Sequence, residues 1–247
     1  MKRVVVTGAG AVSPLGIGAP TLWEGLLAGK SGIAEIENFD VSDLEVRIGG
    51  EVRNFDPKDY MDAKLAKRMD RFSHFSVASA AEALKDAGYT IDPENSERVG
   101  VIVNSGGGGI PIMESNVEAM VEKGPKWVHP LTIALFAPNM ASCQVSMAFG
   151  IHGPTVTSSA ACASGVQAFV QAAQMIQRDE ADIIIAGGAE SGLRRTSITA
   201  LQAQRRSRSR QPAVRSRSRR FRFLGRLWAA DRRIGRTCVE PRRQHCR

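Results

Sequence analysis

The sequence predicts an α/β fold in which a mostly parallel sheet is flanked by helices. Three short apolar segments, residues 3–7, 98–104 and 182–188, have the near-continuous apolar character of buried parallel strands. Apolar residues recur at helical spacing between them, most clearly over 72–87 and 166–176. Strand and helix patterns therefore alternate along the chain, which is typical of a sheet covered by helices.

The first predicted strand, residues 3–7, runs directly into Gly8-Ala9-Gly10. A Gly-x-Gly turn after a strand is also how many dinucleotide-binding folds begin. Here Ser13 stands in place of the third glycine, and Pro14 falls where the phosphate-binding helix would form its first turns. We therefore predict a tight strand-to-loop turn at these glycines rather than a nucleotide site.

Four segments before Cys162, among them residues 72–87, have the apolar spacing or the end signals of helices. Residues 31–56 lack such a pattern and are predicted to be a loop with short extended pieces. The predicted helices are 20–28, 62–69, 72–87 and 139–149.

Cys162 stands between a predicted strand and a predicted helix. Residues 155–157 are β-branched, and residues 158–165 surround Cys162 with serine, alanine and glycine before the helical pattern begins at residue 166. Such a turn would expose the sulfur, leave room for an acyl group and place helix N–H groups where they favour a thiolate. We predict that Cys162 is a nucleophile; the alternative is a small buried residue in a packed turn.

The other cysteines and the histidines show no metal-ligand or disulfide spacing. Cys143 falls inside the predicted helix 139–149 and is assigned a structural role. His74, His129 and His152 are candidates for a Cys–His pair, but no spacing requires catalysis, so we predict surface or hydrogen-bonded histidines. We predict no metal and no cofactor, and the sparse cysteines favour a reducing compartment.

The charge of the chain is divided between an acidic body and a basic tail. Residues 1–201 hold 17 basic and 23 acidic residues, whereas residues 202–247 hold 16 arginines, no lysine and two acidic residues. The tail can be interpreted as a nucleic-acid arm or as a disordered, solvated segment. A third interpretation, which we favour, is a frameshift near residues 201–205 in GC-rich coding DNA, because every basic residue of the tail is arginine.

Five motifs in order resemble the β-ketoacyl-acyl-carrier-protein synthases, the condensing enzymes of fatty-acid synthesis, most closely the elongating type II enzymes. The resemblance covers residues 1–201 and stops where the tail begins. The motifs are VVVTGAGAVSPLG, NSGGGG, APNMASCQVSMAFGIHGP, GPTVTSSAACASGVQAF and DIIIAGGAES.

The resemblance implies the N-terminal half of a thiolase-like layered fold, with Cys162 as the catalytic residue. Cys162 would take an acyl group from acyl carrier protein, and malonyl-acyl-carrier protein would then supply two carbons by decarboxylative condensation. The glycine-rich turn would pass beside the nucleophile, and Gly107 and Gly108 are assigned to the substrate-binding acyl pocket. Intact relatives are expected to be cytoplasmic homodimers that pair residues 154–158 across the dimer axis, with no role for a membrane or nucleic acid.

The same resemblance places the two catalytic histidines of the family in a second half that this sequence does not show. We therefore expect the chain to be inactive in the complete condensation and to expose apolar faces that the second half would cover. The alternatives are a non-catalytic pseudoenzyme fragment and nucleic-acid binding through the basic tail.

Overall fold

The computed structural model describes residues 3–210, with side chains up to residue 204. Within this range six strands form three two-stranded sheets. The strands are β1 (Val12–Ser13), β2 (Gly16–Ile17), β3 (Ala34–Glu35), β4 (Ile48–Gly49), β5 (Val99–Asn104) and β6 (Ile183–Gly188).

Eight α-helices lie in the same described range, with 3₁₀ turns at Pro57–Asp59, Ser96–Arg98 and Pro125–Trp127. The helices are α1 (Ala19–Leu27), α2 (Ala63–Ala66), α3 (Arg71–Asp86), α4 (Ile110–Lys123), α5 (Thr132–Phe136), α6 (Met140–Phe149), α7 (Ser164–Gln177) and α8 (Arg195–Arg210).

Most predicted helices are confirmed to within one or two residues, but the predicted helix 62–69 is a single turn, α2. Asp62 caps its start by accepting the N–H groups of Lys64 and Leu65. The helix ends early because Asp70 already serves as the N-cap of α3, accepting the Arg71 N–H.

The centre of the fold is the parallel pair β5 and β6, joined across the sheet from Val99 opposite Ile183 to Asn104 opposite Gly188. Every residue of β5 is buried, whereas β6 is half-buried from Ile183 to Gly187 and exposed at Gly188, which corrects the prediction of a buried strand at 182–188. Since β6 pairs with β5 alone among the described strands, it lies at an edge and keeps part of its surface open.

Alternate residues of β5 face two different helix layers, as the pleat of a strand requires. Val99, Val101 and Val103 pack in a core cluster with residues of α3 and α6. Ile102 points the other way and packs against Ala168, Ala172 and Met175 of α7. Helices therefore cover both faces of the sheet at β5, and they keep the carboxyl end of this strand in the interior.

The predicted strand at residues 3–7 is wrong. Residues 3–11 form no ladder, and Val5 and Val6 are 59% and 77% exposed. The chain is held against α3 instead, because the N–H groups of Ala9 and Ala11 donate to the carboxylates of Asp86 (2.9 Å) and Glu82 (3.4 Å).

The predicted strand at 155–157 is reduced to one parallel bridge between Thr155 and Val101, on the side of β5 away from β6. Backbone bonds join Val101 N–H to Pro154 O (2.9 Å) and Val156 N–H to Val101 O (3.0 Å). The ladder stops there because the buried Ser142 Oγ accepts the Val103 N–H at 2.9 Å and lies 3.1 Å from Val156 O. A serine on α6 thus takes the place of the next ladder bond.

Helix α8 continues to Arg210, past the predicted boundary at residue 201. The remainder of the predicted basic tail, 211–247, lies outside the described residues, and the frameshift and the disorder stay predictions. In the part of the chain that the structure describes, no helix has the length and apolarity needed to cross a membrane.

Candidate active site

Cys162 lies on a sharp, exposed turn immediately before α7. Ala161 has φ 49°, in the left-handed region, which costs a residue with a Cβ about 1–2 kcal/mol. Ser164, at the start of α7, stabilises the turn: its Oγ accepts the Ala160 N–H (2.9 Å) and donates to Ala161 O (2.7 Å). Ala163 is the N-cap, so the exposed Cys162 stands just ahead of the first helical turn. The predicted turn, cysteine and helix are confirmed in this order.

The glycine-rich turn after β5 lies beside the cysteine turn, as expected from the resemblance. A Cβ atom placed on Gly106 would lie 3.3 Å from Ala161 O, so the two backbones nearly touch. The Gly107 N–H donates to Glu190 Oε2 at 3.1 Å. Gly108, with φ 61°, instead packs against the end of α5 and the chain that follows it, and a Cβ there would lie 2.5 Å from Phe136 O.

A cavity of about 1080 Å³ opens between these turns and the loops after β4 and β6. Cys162 and Gly107 both line it, whereas Gly108 is not among the lining residues. Its volume is slightly above the range of about 300–1,000 Å³ that is usual for small-molecule sites. The structure therefore brings two of the three predicted site residues to one cavity and places the third behind its wall.

Two polar residues that the sequence analysis did not single out complete this site. Glu190 follows β6, and its carboxylate accepts from Gly107 N, Ser105 Oγ (3.4 Å) and Ser191 N (3.2 Å). Asn104 ends β5 and is fully buried beside the cysteine turn. The sequence signal that could have found both residues is a polar side chain at the carboxyl end of a predicted parallel strand. Neighbouring parallel strands end at the same edge of a sheet, so such side chains come close together.

The three described histidines lie away from this cavity, and each has a local partner, as predicted. His74 Nε2 is 2.8 Å from Ala66 O, and His152 Nδ1 is 3.3 Å from Ser96 Oγ. His129 Nδ1 accepts the Leu131 N–H at 3.2 Å. Cys143 is half-buried on α6 and is also absent from the cavity lining.

His74 is expected to make stability depend on pH. Burial lowers the pKa of His74, so the neutral ring is favoured in the folded chain. Its contribution to the free energy of unfolding is complete above the ordinary histidine pKa of about 6.5 and declines as the pH falls below it. Urea unfolding of the wild type and His74→Gln between pH 7.5 and 5 should show a smaller decline in the variant.

The wild type has to be compared with His74→Gln because a second group also makes stability depend on pH. Burial raises the pKa of the carboxyl of the neighbouring Asp70. Asp70 therefore favours folding at low pH, opposite in sign to His74. An equal decline in wild type and His74→Gln would contradict the prediction.

Comparison with known proteins places this chain in a family. Residues 1–222 match the model of the β-ketoacyl synthase N-terminal domain. The 3-oxoacyl-[acyl-carrier-protein] synthase 2 of Staphylococcus aureus (strain COL) is 39% identical over 204 residues, which are 83% of this chain and 49% of that protein. The chain thus spans about half the length of this curated relative.

Solved structures agree with the sequence match. The ishigamide ketosynthase/chain length factor superposes with a TM-score of 0.77 at 26% identity, over 82% of this chain and 51% of that one. A type II polyketide ketosynthase in complex with its acyl-carrier protein superposes with a TM-score of 0.70 at 25% identity, over 82% of this chain and 54% of that one. These likenesses confirm the predicted fold class, the N-terminal half of a thiolase-like α/β fold. The chain belongs to the β-ketoacyl synthase family and carries its N-terminal domain.

Proposed function

We propose that Cys162 accepts an acyl group from acyl carrier protein, and that the whole protein is a 3-oxoacyl-acyl-carrier-protein synthase of fatty-acid elongation. The observation that carries the proposal is the exposed cysteine on a strained turn, at the start of a helix and open to a large cavity. In the reaction the thiolate would attack the carbonyl carbon of an acyl thioester. A new sulfur–carbon bond forms at Cys162, the thioester bond to the carrier breaks, and the carrier leaves as a thiolate.

The local geometry suits this step. Cys162 stands two residues before Ser164, the first residue of α7, and so lies close to the helix end that carries a partial positive charge. The sequence neighbours of Cys162 are serine, alanine and glycine, and the cysteine is exposed, so the carbonyl carbon of a thioester can approach the sulfur from the cavity. An exposed thiol in such surroundings is more accessible than Cys143, which is half-buried on α6.

The cavity can hold an acyl chain next to the sulfur. Part of its wall is apolar and comes from residues far apart in the sequence, including Phe75, Ile110 and Leu193. Gly107 contributes no side chain there, and a Cβ at this position would lie 2.6 Å from the end of the Ile110 side chain. Ile110 thus occupies the space that a larger residue at 107 would take.

The choice of carrier protein as partner rests on the relatives. The Staphylococcus aureus relative is named for its action with acyl carrier protein, and one solved neighbour is bound to such a carrier. We propose the same partner here, with a cytoplasmic location and a homodimeric intact protein. Since the chain spans about half the length of its curated relative, we expect acyl transfer to Cys162 but no complete condensation by residues 1–247.

Acylation of the chain by octanoyl-acyl-carrier protein is the test, followed by intact-mass and peptide mass spectrometry. One octanoyl group is expected on Cys162, and Cys162→Ala should abolish the adduct. Cys143→Ala is the matched control and should be acylated like the wild type. Adding malonyl-acyl-carrier protein should give no 3-oxo product. An adduct that survives in Cys162→Ala would overturn the role of this cysteine.

A further inference from the structure

We propose that Asn104 is a positioning residue that connects the Cys162 turn to the central sheet and sets the position of the sulfur. The proposal rests on the proposed function of Cys162 as acyl acceptor. Asn104 is the last residue of β5 and is 0% exposed. It does not reach the surface of the turn, so it acts through the backbone that carries the cysteine.

Three hydrogen bonds join the Asn104 amide to residues on both sides of the cysteine. Its Oδ1 accepts the Ser158 N–H at 2.8 Å. Its Nδ2 donates to Ser158 Oγ at 3.2 Å and to Ser164 O at 3.0 Å. Ser158 Oγ in turn donates to Gln171 Oε1 of α7 at 3.1 Å. A single buried side chain therefore contacts the residue at which the turn begins and the residue at which α7 begins.

Burial of side chains contributes little to this turn, because all residues from 159 to 163 are exposed, and the nearby Gly106 approaches it through its backbone alone. The bonds of Ser164 to Ala160 and Ala161 lie within the turn and move with it. The left-handed Ala161 is unfavourable and persists only where its surroundings impose it. The Asn104 contacts supply that constraint from outside the turn.

Asn104 is itself held rigidly, which a positioning residue requires. Its backbone pairs with Gly188 of β6, and its carbonyl accepts the Ala189 N–H at 3.0 Å. On the other side, the chain at 154–156 runs along β5. Helices cover both faces of this strand.

Loss of the amide should therefore loosen the turn without removing the cysteine. Misplacing a reacting group by about 1 Å can cost about 100-fold in rate. For Asn104→Ala we expect transfer of an octanoyl group to Cys162 to slow by about 10- to 100-fold.

The experiment uses the full chain with Cys143, Cys238 and Cys246 replaced by serine, so that Cys162 is the sole thiol. One measurement is single-turnover acylation by octanoyl-acyl-carrier protein. The second is ¹⁹F NMR of Cys162 alkylated with bromotrifluoroacetone, which reports the order of the turn directly. The parent should show one sharp resonance, and Asn104→Ala a broadened or split one.

Asn116→Ala is the matched control, since Asn116 is another buried asparagine with two hydrogen bonds, to Ile112 O (2.7 Å) and from His129 N (2.6 Å). It should lower the melting temperature as Asn104→Ala does, yet keep the parent's rate and sharp resonance. A parent-like rate and resonance in Asn104→Ala, or equal changes in both variants, would overturn the proposal.

A milder variant keeps the test decisive if Asn104→Ala does not fold. Ser158→Ala removes only the contacts of the hydroxyl and should slow acylation by a few-fold, with a visibly broader resonance. Unchanged behaviour of Ser158→Ala would then overturn the proposal. If the parent itself is not acylated, the proposed function fails, while the NMR comparison still decides whether Asn104 orders the turn.

Discussion

Replacement of Phe72 by alanine is expected to lower the free energy of unfolding by about 3–5 kcal/mol. Phe72 lies on the first turn of α3 and is 0% exposed. It belongs to the core cluster that joins α3 and α6 to β5 through Val101 and Val145. The variant no longer buries the phenyl ring, and it leaves a cavity that the surrounding helices and strand can close only in part. Urea unfolding followed by circular dichroism measures the loss.

Phe169→Ala on α7 is the matched control, because the same ring is removed from a side chain that is 53% exposed. Its free energy of unfolding should stay within about 0.5 kcal/mol of the wild type. Comparable losses in the two variants would mean that the cluster around Phe72 is not the main core of the described fold.

The same distinction between buried and exposed positions explains how well the sequence predicted the fold. Helix α3 and strand β5 are predicted correctly because every residue of β5 is buried and because α3 combines an apolar face with a glycine, Gly88, just after its end. The apolar residues 3–7 form no strand, since an apolar run predicts a strand only where a neighbour completes the ladder. Val6 and Trp23 are apolar yet exposed for the same reason: composition does not specify what covers a residue.

The site divides in a similar way. The cysteine turn and the glycine-rich turn are local features, and their residue types predicted them. Asn104 and Glu190 were missed because their roles depend on how β5 and β6 are aligned. Asn104 pairs with Gly188, and Glu190 follows Gly188 by two residues, so this register brings both side chains to the same edge of the sheet. Likewise, the end of the 155–157 strand depends on Ser142, a serine from another helix that intercepts a ladder bond. Such contacts join distant segments and leave no periodic signal.

Gly108→Ala is expected to lower the free energy of unfolding by about 2–5 kcal/mol, the sum of two separate penalties. The first is conformational, because φ is +61° at Gly108, and a Cβ in this region costs about 1–2 kcal/mol. The second is steric, because the new Cβ would lie 2.5 Å from Phe136 O and 3.1 Å from Pro138 Cα. Both atoms are backbone and cannot rotate away, and overpacking of this kind costs about 1–3 kcal/mol.

Gly88→Ala separates the two penalties, since Gly88 has φ +60° but nothing within 4 Å of a new Cβ. It should lose only the conformational part, about 1–2 kcal/mol. The difference between the two variants in urea unfolding then measures how tightly the glycine-rich turn packs against the chain before α6. Equal losses would show that this close approach is not formed in solution. A larger loss for Gly108→Ala than for Gly88→Ala would instead establish that the backbone at Phe136 and Pro138, next to the Cys162 cavity, is rigid. Only a backbone that cannot move away makes one added methyl group so destabilising.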